Sequence, residues 1–183
     1  MVLLRPAARP PSGPAEADDR HSDRHSDRDR DADGRPASAR QRDALGRPLA
    51  RGIAGYPAEP QQPLTGPDDA LERAQAFLDA GRAFAAHEVL EAAWKAAPDD
   101  EREMWQGLAQ LAVAHTHLQR GNGAGALRLL ERATARLRDV ADPPPYRIAR
   151  AGLLATADHA AALLAAGRPP SEAAGQVRWL LRG

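Results

Sequence analysis

The 183-residue sequence contains no cysteine, which excludes disulfides, thiolate metal sites and cysteine nucleophiles. It has no apolar run of membrane-spanning length, and its opening Met1, Val2, Leu3, Leu4, Arg5 and Pro6 are too short for a signal peptide. Neither sign of charge dominates: 25 basic and 25 acidic residues cancel, without the basic excess of a general nucleic-acid binder. Lysine is almost missing, Lys95 being the only one. These absences predict a cytoplasmic protein whose partners include neither nucleic acid nor membrane, and no cofactor is predicted.

What is present divides in two. Residues 1–64 hold most of the prolines, few large apolar side chains and dense mixed charge. Such a segment buries too little apolar surface to offset the entropy of ordering it, so a disordered tail is predicted. It carries a short repeat, His21, Ser22, Asp23, Arg24 and then His25, Ser26, Asp27, Arg28. A solvated polyampholyte is the preferred reading over metal scavenging. Residues 40–52 read as a linker, with a docked strap anchored by Leu45, Leu49 and Ile53 as the alternative. Residues 65–183 are rich in alanine and leucine and have the size of one domain.

Apolar periodicity and helix punctuation predict six helices in that domain. Thr65 is expected to cap the first, over about 67–80, with Gly81 closing it. The second covers about 83–97 and stops at Pro98. The third runs from Asp99 and Asp100 to Arg120. Gly121 and Asn122 then mark a glycine stop followed by an N-cap, and the fourth covers about 123–139. After Pro143, Pro144 and Pro145 a fifth spans about 146–166. A short sixth, capped by Ser171, is expected to carry Val177, Trp179, Leu180 and Leu181. No segment shows strand alternation, so the fold class is all-α, a bundle of antiparallel hairpins.

The polar residues within this bundle are the informative ones. His87, Glu91 and Trp94 share one face of the second helix, with Glu88 turned about a hundred degrees away. Gln106, Gln110, Val113 and His117 form one stripe of the third, and Met104, Leu108, Leu111 and His115 the apolar stripe opposite. A short connection at Pro98 predicts antiparallel packing. Positions equidistant from that hinge then face each other, His87 near Gln110 and Glu91 near Gln106, with His117 further along. Buried polar groups need partners, at roughly 1–3 kcal/mol for each one left without.

Three readings of this cluster compete. It is a register-fixing polar network, or a pocket for a peptide or small polar ligand walled by Trp94 and Trp105, or a hydrolytic metal site using His87, Glu91 and His117 with Glu88 or Glu91 as base. The His-Glu-x-x-Glu spacing lacks the second helical histidine of zinc hydrolases, which weighs against the last. His115 is expected in the core or at its boundary, His159 at the surface.

The blocks Phe84-x-x-His87-Glu88-x-Leu90-Glu91-x-x-Trp94, Gln106-Gly107-Leu108-x-Gln110-x-Ala112, His117 and Gly121-Asn122-x-x-Gly125-Ala126, in that order, resemble a bacterial family known only as domain of unknown function 309. The resemblance covers about 70–140, and residues 40–52 resemble an extension carried by some members. It implies a small all-helical protein without established activity, and supports the fold and the choice of site residues alone. Tetratricopeptide-like spacing around Ala74, Gly81 and Ala86 reflects shared hairpin physics, because the echo some forty residues later misses the 34-residue period. The expectation is non-enzymatic binding at His87, Glu88, Glu91, Trp94, Gln106, Gln110 and His117, with Gly121, Asn122 and Gly125 as turn and cap. The arrangement leaves room for a homodimer.

Overall fold

A computed structural model describes residues 43, 45–47, 49–50 and 62–183, all within one unit, Arg40–Gly183. The repeat at 21–28 and Ile53 lie outside the described residues. The helices are α1 (Pro67–Asp79), α2 (Ala83–Ala96), α3 (Arg102–Gln119), α4 (Gly123–Arg138), α5 (Arg150–Ala165) and α6 (Pro170–Gln176). Among the described residues the only extended pairing is an isolated antiparallel bridge between Ile148 and Arg182. No described helix is long and apolar enough to cross a membrane.

Three helices end alike. After α1, α3 and α5, Gly81, Gly121 and Gly167 adopt φ near +75°, which only glycine reaches without steric cost. Arg82 N–H then bonds back to the Phe77 carbonyl, Asn122 N–H to that of His117 and Arg168 N–H to that of Leu163. Each is a Schellman closure, and it folds the next helix back on the last. At the other end of α1 the expected cap is displaced by one residue. Gly66 is the N-cap, and Asp69 reaches back to accept from Thr65 N–H at 2.9 Å, which lowers the Asp69 pKa.

Helix α3 is the centre of the bundle. It packs against α2, α4 and α6 and buries eleven of its 18 residues, including Trp105, Leu108, Leu111 and Leu118. Leu71 and Leu90 join them from α1 and α2, Leu130 and Leu137 from α4 and Leu153 from α5. The α3–α4 contact is close because Gly107 has no side chain. A Cβ there would lie 3.0 Å from Cγ of Leu137.

Two expectations fail after residue 140. The fifth helix begins four residues late, since Tyr146 and Arg147 both take positive φ in a single 3-10 turn, Pro145–Arg147. The sixth helix ends at Gln176 and is capped at Pro169, not Ser171. Residues 177–183 are not helical, and burial alternates along them: Trp179 and Leu181 are buried while Leu180 is 50% exposed. A side-chain amide replaces a neighbouring strand there. Gln75 donates to the Trp179 carbonyl at 3.0 Å and accepts from Leu181 N–H at 2.8 Å. Ala149 N–H completes the attachment by bonding the Leu181 carbonyl.

Candidate functional site

Helix α2 presents Phe84, His87, Glu91 and Lys95 at successive turns of one face. Nε2 of His87 lies 3.5 Å from Glu91, whose other oxygen accepts from Lys95 at 2.9 Å. The face is semi-exposed: the His87 side chain is 22% accessible and that of Glu91 36%. These pairs therefore contribute little to stability. Burial pushes the His87 imidazole below its ordinary pKa, opposed by Glu91 and by the Ala109 carbonyl. That carbonyl belongs to α3, one residue before Gln110.

The chemistry of the seam rests on what lacks a partner. Nδ1 of His87 is buried without a hydrogen bond, and so is Oε1 of Gln110. The tautomer of neutral His87 decides whether Nδ1 donates or accepts, while Oε1 of Gln110 only accepts. Two buried polar atoms without partners are a costly arrangement. Gln106 and Glu88 are half-buried, and Trp94 packs partly against the core.

Other predicted residues stand elsewhere. Trp105 is a core residue, its indole N–H bonded to Glu101 at 3.1 Å and its ring against Tyr146. Glu101 also accepts from the Tyr146 hydroxyl at 2.5 Å, which pushes that phenol up to about 12. His117 sits at the α3–α4 turn. The Asn122 carbonyl oxygen accepts from Gly125 N–H at 2.9 Å, so its amide nitrogen is the group that donates to Nδ1 of His117 at 2.7 Å. Seven residues separate His117 from Gln110, about 10 Å along the helix. Among the described residues, no three histidine or carboxylate side chains converge to hold a metal ion.

His115 is 6% exposed, its Nδ1 is unpartnered, and its ring meets Trp179 edge-on at 6.3 Å. It backs a cleft of about 600 Å³ bordered by Leu78, Asp79, Gln119 and Arg178. His159 is exposed.

Sequence reasoning does not single out Arg120, and it gives the segment that Arg120 holds as a linker, with a docked strap anchored by Leu45, Leu49 and Ile53 as the alternative. Its Nε and a terminal nitrogen both donate to the Leu45 carbonyl, the former at 2.9 Å, and its guanidinium carbon lies 5.8 Å from the centre of the Phe84 ring. Phe84 in turn stands 6.0 Å from His87, ring to ring. The signal was present in the turn chemistry of Asp43 and Gly46.

The fold is an all-helical bundle, and this face carries two buried polar atoms without partners. Residues 71–129 match the family profile described as Domain of unknown function (DUF309), as the motif resemblance implied. That span contains every predicted site residue. The chain is also similar to the "Uncharacterized protein YpuF" of Bacillus subtilis (strain 168), 50% identical over 48 residues, 26% of this chain and 28% of that protein. The chain thus spans little more than a quarter of that relative's length. No solved structure matches it.

Proposed function

We propose that the protein is a cytoplasmic, non-enzymatic binding module whose α2–α3 seam takes a peptide. The observation that supports this reading is the pair of buried polar atoms without hydrogen-bond partners, Nδ1 of His87 and Oε1 of Gln110. A ligand that relieves both must donate an N–H to the Gln110 oxygen and meet His87 with a donor or a carbonyl, according to its tautomer. Arg120, already on a main-chain carbonyl beside Phe84, supplies the complementary donor. A peptide backbone offers both kinds of group, and the balanced charge of the chain supports a protein partner over nucleic acid.

The test is a melting-temperature survey of the full chain with a library of blocked hexapeptides, since a ligand that binds only the native state raises its melting point. His87→Leu and Gln110→Met each remove one unpartnered buried atom. Peptides that stabilise the wild type should lose most of that effect on either variant. The reading fails if no peptide stabilises the wild type, or if both variants respond as the wild type does.

A further inference from the structure

The segment before α1 is held in a specific way. Asp43 accepts from Leu45 N–H at 2.9 Å and Arg47 N–H at 2.7 Å through one carboxylate oxygen. Its carbonyl also accepts from Gly46 N–H at 2.8 Å. The turn so formed points the Leu45 carbonyl at Arg120, which reads it with two nitrogens. Gly46 is buried at φ +75°, and a Cβ there would overlap the ring carbons of Phe84.

Three features of the occupant are therefore read: a carboxylate that folds the turn, a main-chain carbonyl, and the absence of a side chain on the next residue. None depends on the identity of Leu45 itself. Phe84 and Arg120 both lie inside the span that matches the family profile, 71–129, whereas the turn they hold lies outside it. The reading surface is thus part of the shared domain, and its occupant is supplied from beyond that domain.

We propose that Phe84 and Arg120 form a turn-binding site that recognises an Asp-x-x-Gly turn on a partner protein, and that this chain's own Asp43 to Gly46 turn occupies the site in cis as a competitor. The proposal deepens the peptide-binding reading above by naming the recognised feature. The cis turn is tethered through a short connection, so it competes at roughly millimolar effective concentration. A partner must then present the turn with better accompanying contacts, and the unpartnered atoms of His87 and Gln110 are where a longer ligand finds them.

The experiment uses the full chain and a fluorescent synthetic peptide of residues 40–52, read by polarisation. Gly46→Val expels the cis turn, because the side chain meets Phe84 and the backbone disfavours a β-branched residue at that φ. The Gly46→Val chain should bind the labelled peptide at least about tenfold more tightly than the wild type does. Arg120→Ala added to it should abolish binding, and a peptide carrying Gly46→Val should not bind. Asp43→Ala loosens the turn without touching a helix, and should give an intermediate gain with an unchanged melting temperature. Equal binding by the wild-type, Gly46→Val and Asp43→Ala chains overturns the proposal, as does binding that survives Arg120→Ala. If this peptide fails while hexapeptide stabilisation through His87 and Gln110 persists, only the turn specificity falls.

Discussion

Helix α3 packs against both α4 and α2, and the two contacts are finished to different degrees. Along α4 the surfaces fit closely at two places, although Nε of Arg136 is buried there without a partner. Gly107 admits Leu137, and at the turn Asn122 satisfies Gly125 with one side-chain atom and His117 with the other. Along α2, Gln110 Oε1 and His87 Nδ1 are both without partners. The α2 contact holds its unmet hydrogen-bonding capacity next to an aromatic ring and a guanidinium. On the reading proposed above, the α4 contact builds the fold and the α2 contact is the part offered to a ligand.

The comparison is broken most severely at Gly125. A Cβ there would lie 2.5 Å from both Nδ1 of His117 and the Asn122 amide nitrogen, so both side chains must leave and the cap is lost. Overpacking and cap loss outweigh the helix-propensity gain of alanine. Gly125→Ala should cost about 3 kcal/mol in denaturant unfolding. A neutral result would mean that the turn is not closely packed and that the contrast between the two contacts is false.

The second test uses pH. Burial pushes His115 down to about 4, below its ordinary 6.5, so the unfolded chain takes up the proton first. Its neutral burial is compatible with full stability above about pH 6.5, and stability declines as pH falls from there toward 4. Over that window the loss reaches about 3 kcal/mol. His115→Phe should flatten this acid limb in melting curves taken across the range. The partnered His117 has only the turn to lose on protonation, and cannot supply a limb of that size.

A third and smaller effect isolates the cap. Asn122→Ala removes both hydrogen bonds at the α3–α4 turn and should cost about 1 kcal/mol. His117 is held below its ordinary pKa by burial first and then by Arg120 and Arg128. Losing the Asn122 contact opens it to water, so its pKa should rise in an NMR titration of the ring protons. An unchanged titration would show that the Asn122 bond is incidental to the placement of His117.

Local rules made much of this legible in advance. The glycine stops at Gly81 and Gly121 and the cap at Asn122 need only the residues beside them, and the i, i+4 spacing of His87 and Glu91 fixes their common face. Where the deciding partner is distant in sequence, the reading failed. Trp179, Leu180 and Leu181 look like the end of a helix, but Gln75, on the first helix, holds them extended. Tyr146 was read as helical because three prolines signal a break without saying how long it lasts, and its bond to Glu101 draws the chain into a left-handed turn. Trp105 is a pocket wall in one of the three readings of the cluster, although the Glu101 carboxylate that satisfies its N–H lies one turn earlier on the same helix end. The Arg120 contact required a segment that composition alone reads as linker.

The smallest expected effect is the most discriminating. His87→Leu with Glu91→Met removes a half-exposed pair and one unpartnered buried atom together. Apolar replacement of such groups is commonly neutral or stabilising, because the desolvation cost goes with them. The double variant should unfold within about 1 kcal/mol of the wild type, on the stable side. Lys95 loses its partner on Glu91, but at 65% exposure it remains solvated, and the cost is small. Loss of several kcal/mol would place the pair among the groups that fix helix register, and the α2 contact would join the α4 contact as part of the fold. Unchanged stability with peptide stabilisation abolished would keep the two apart, because residues that contribute nothing to folding are then the ones that binding requires.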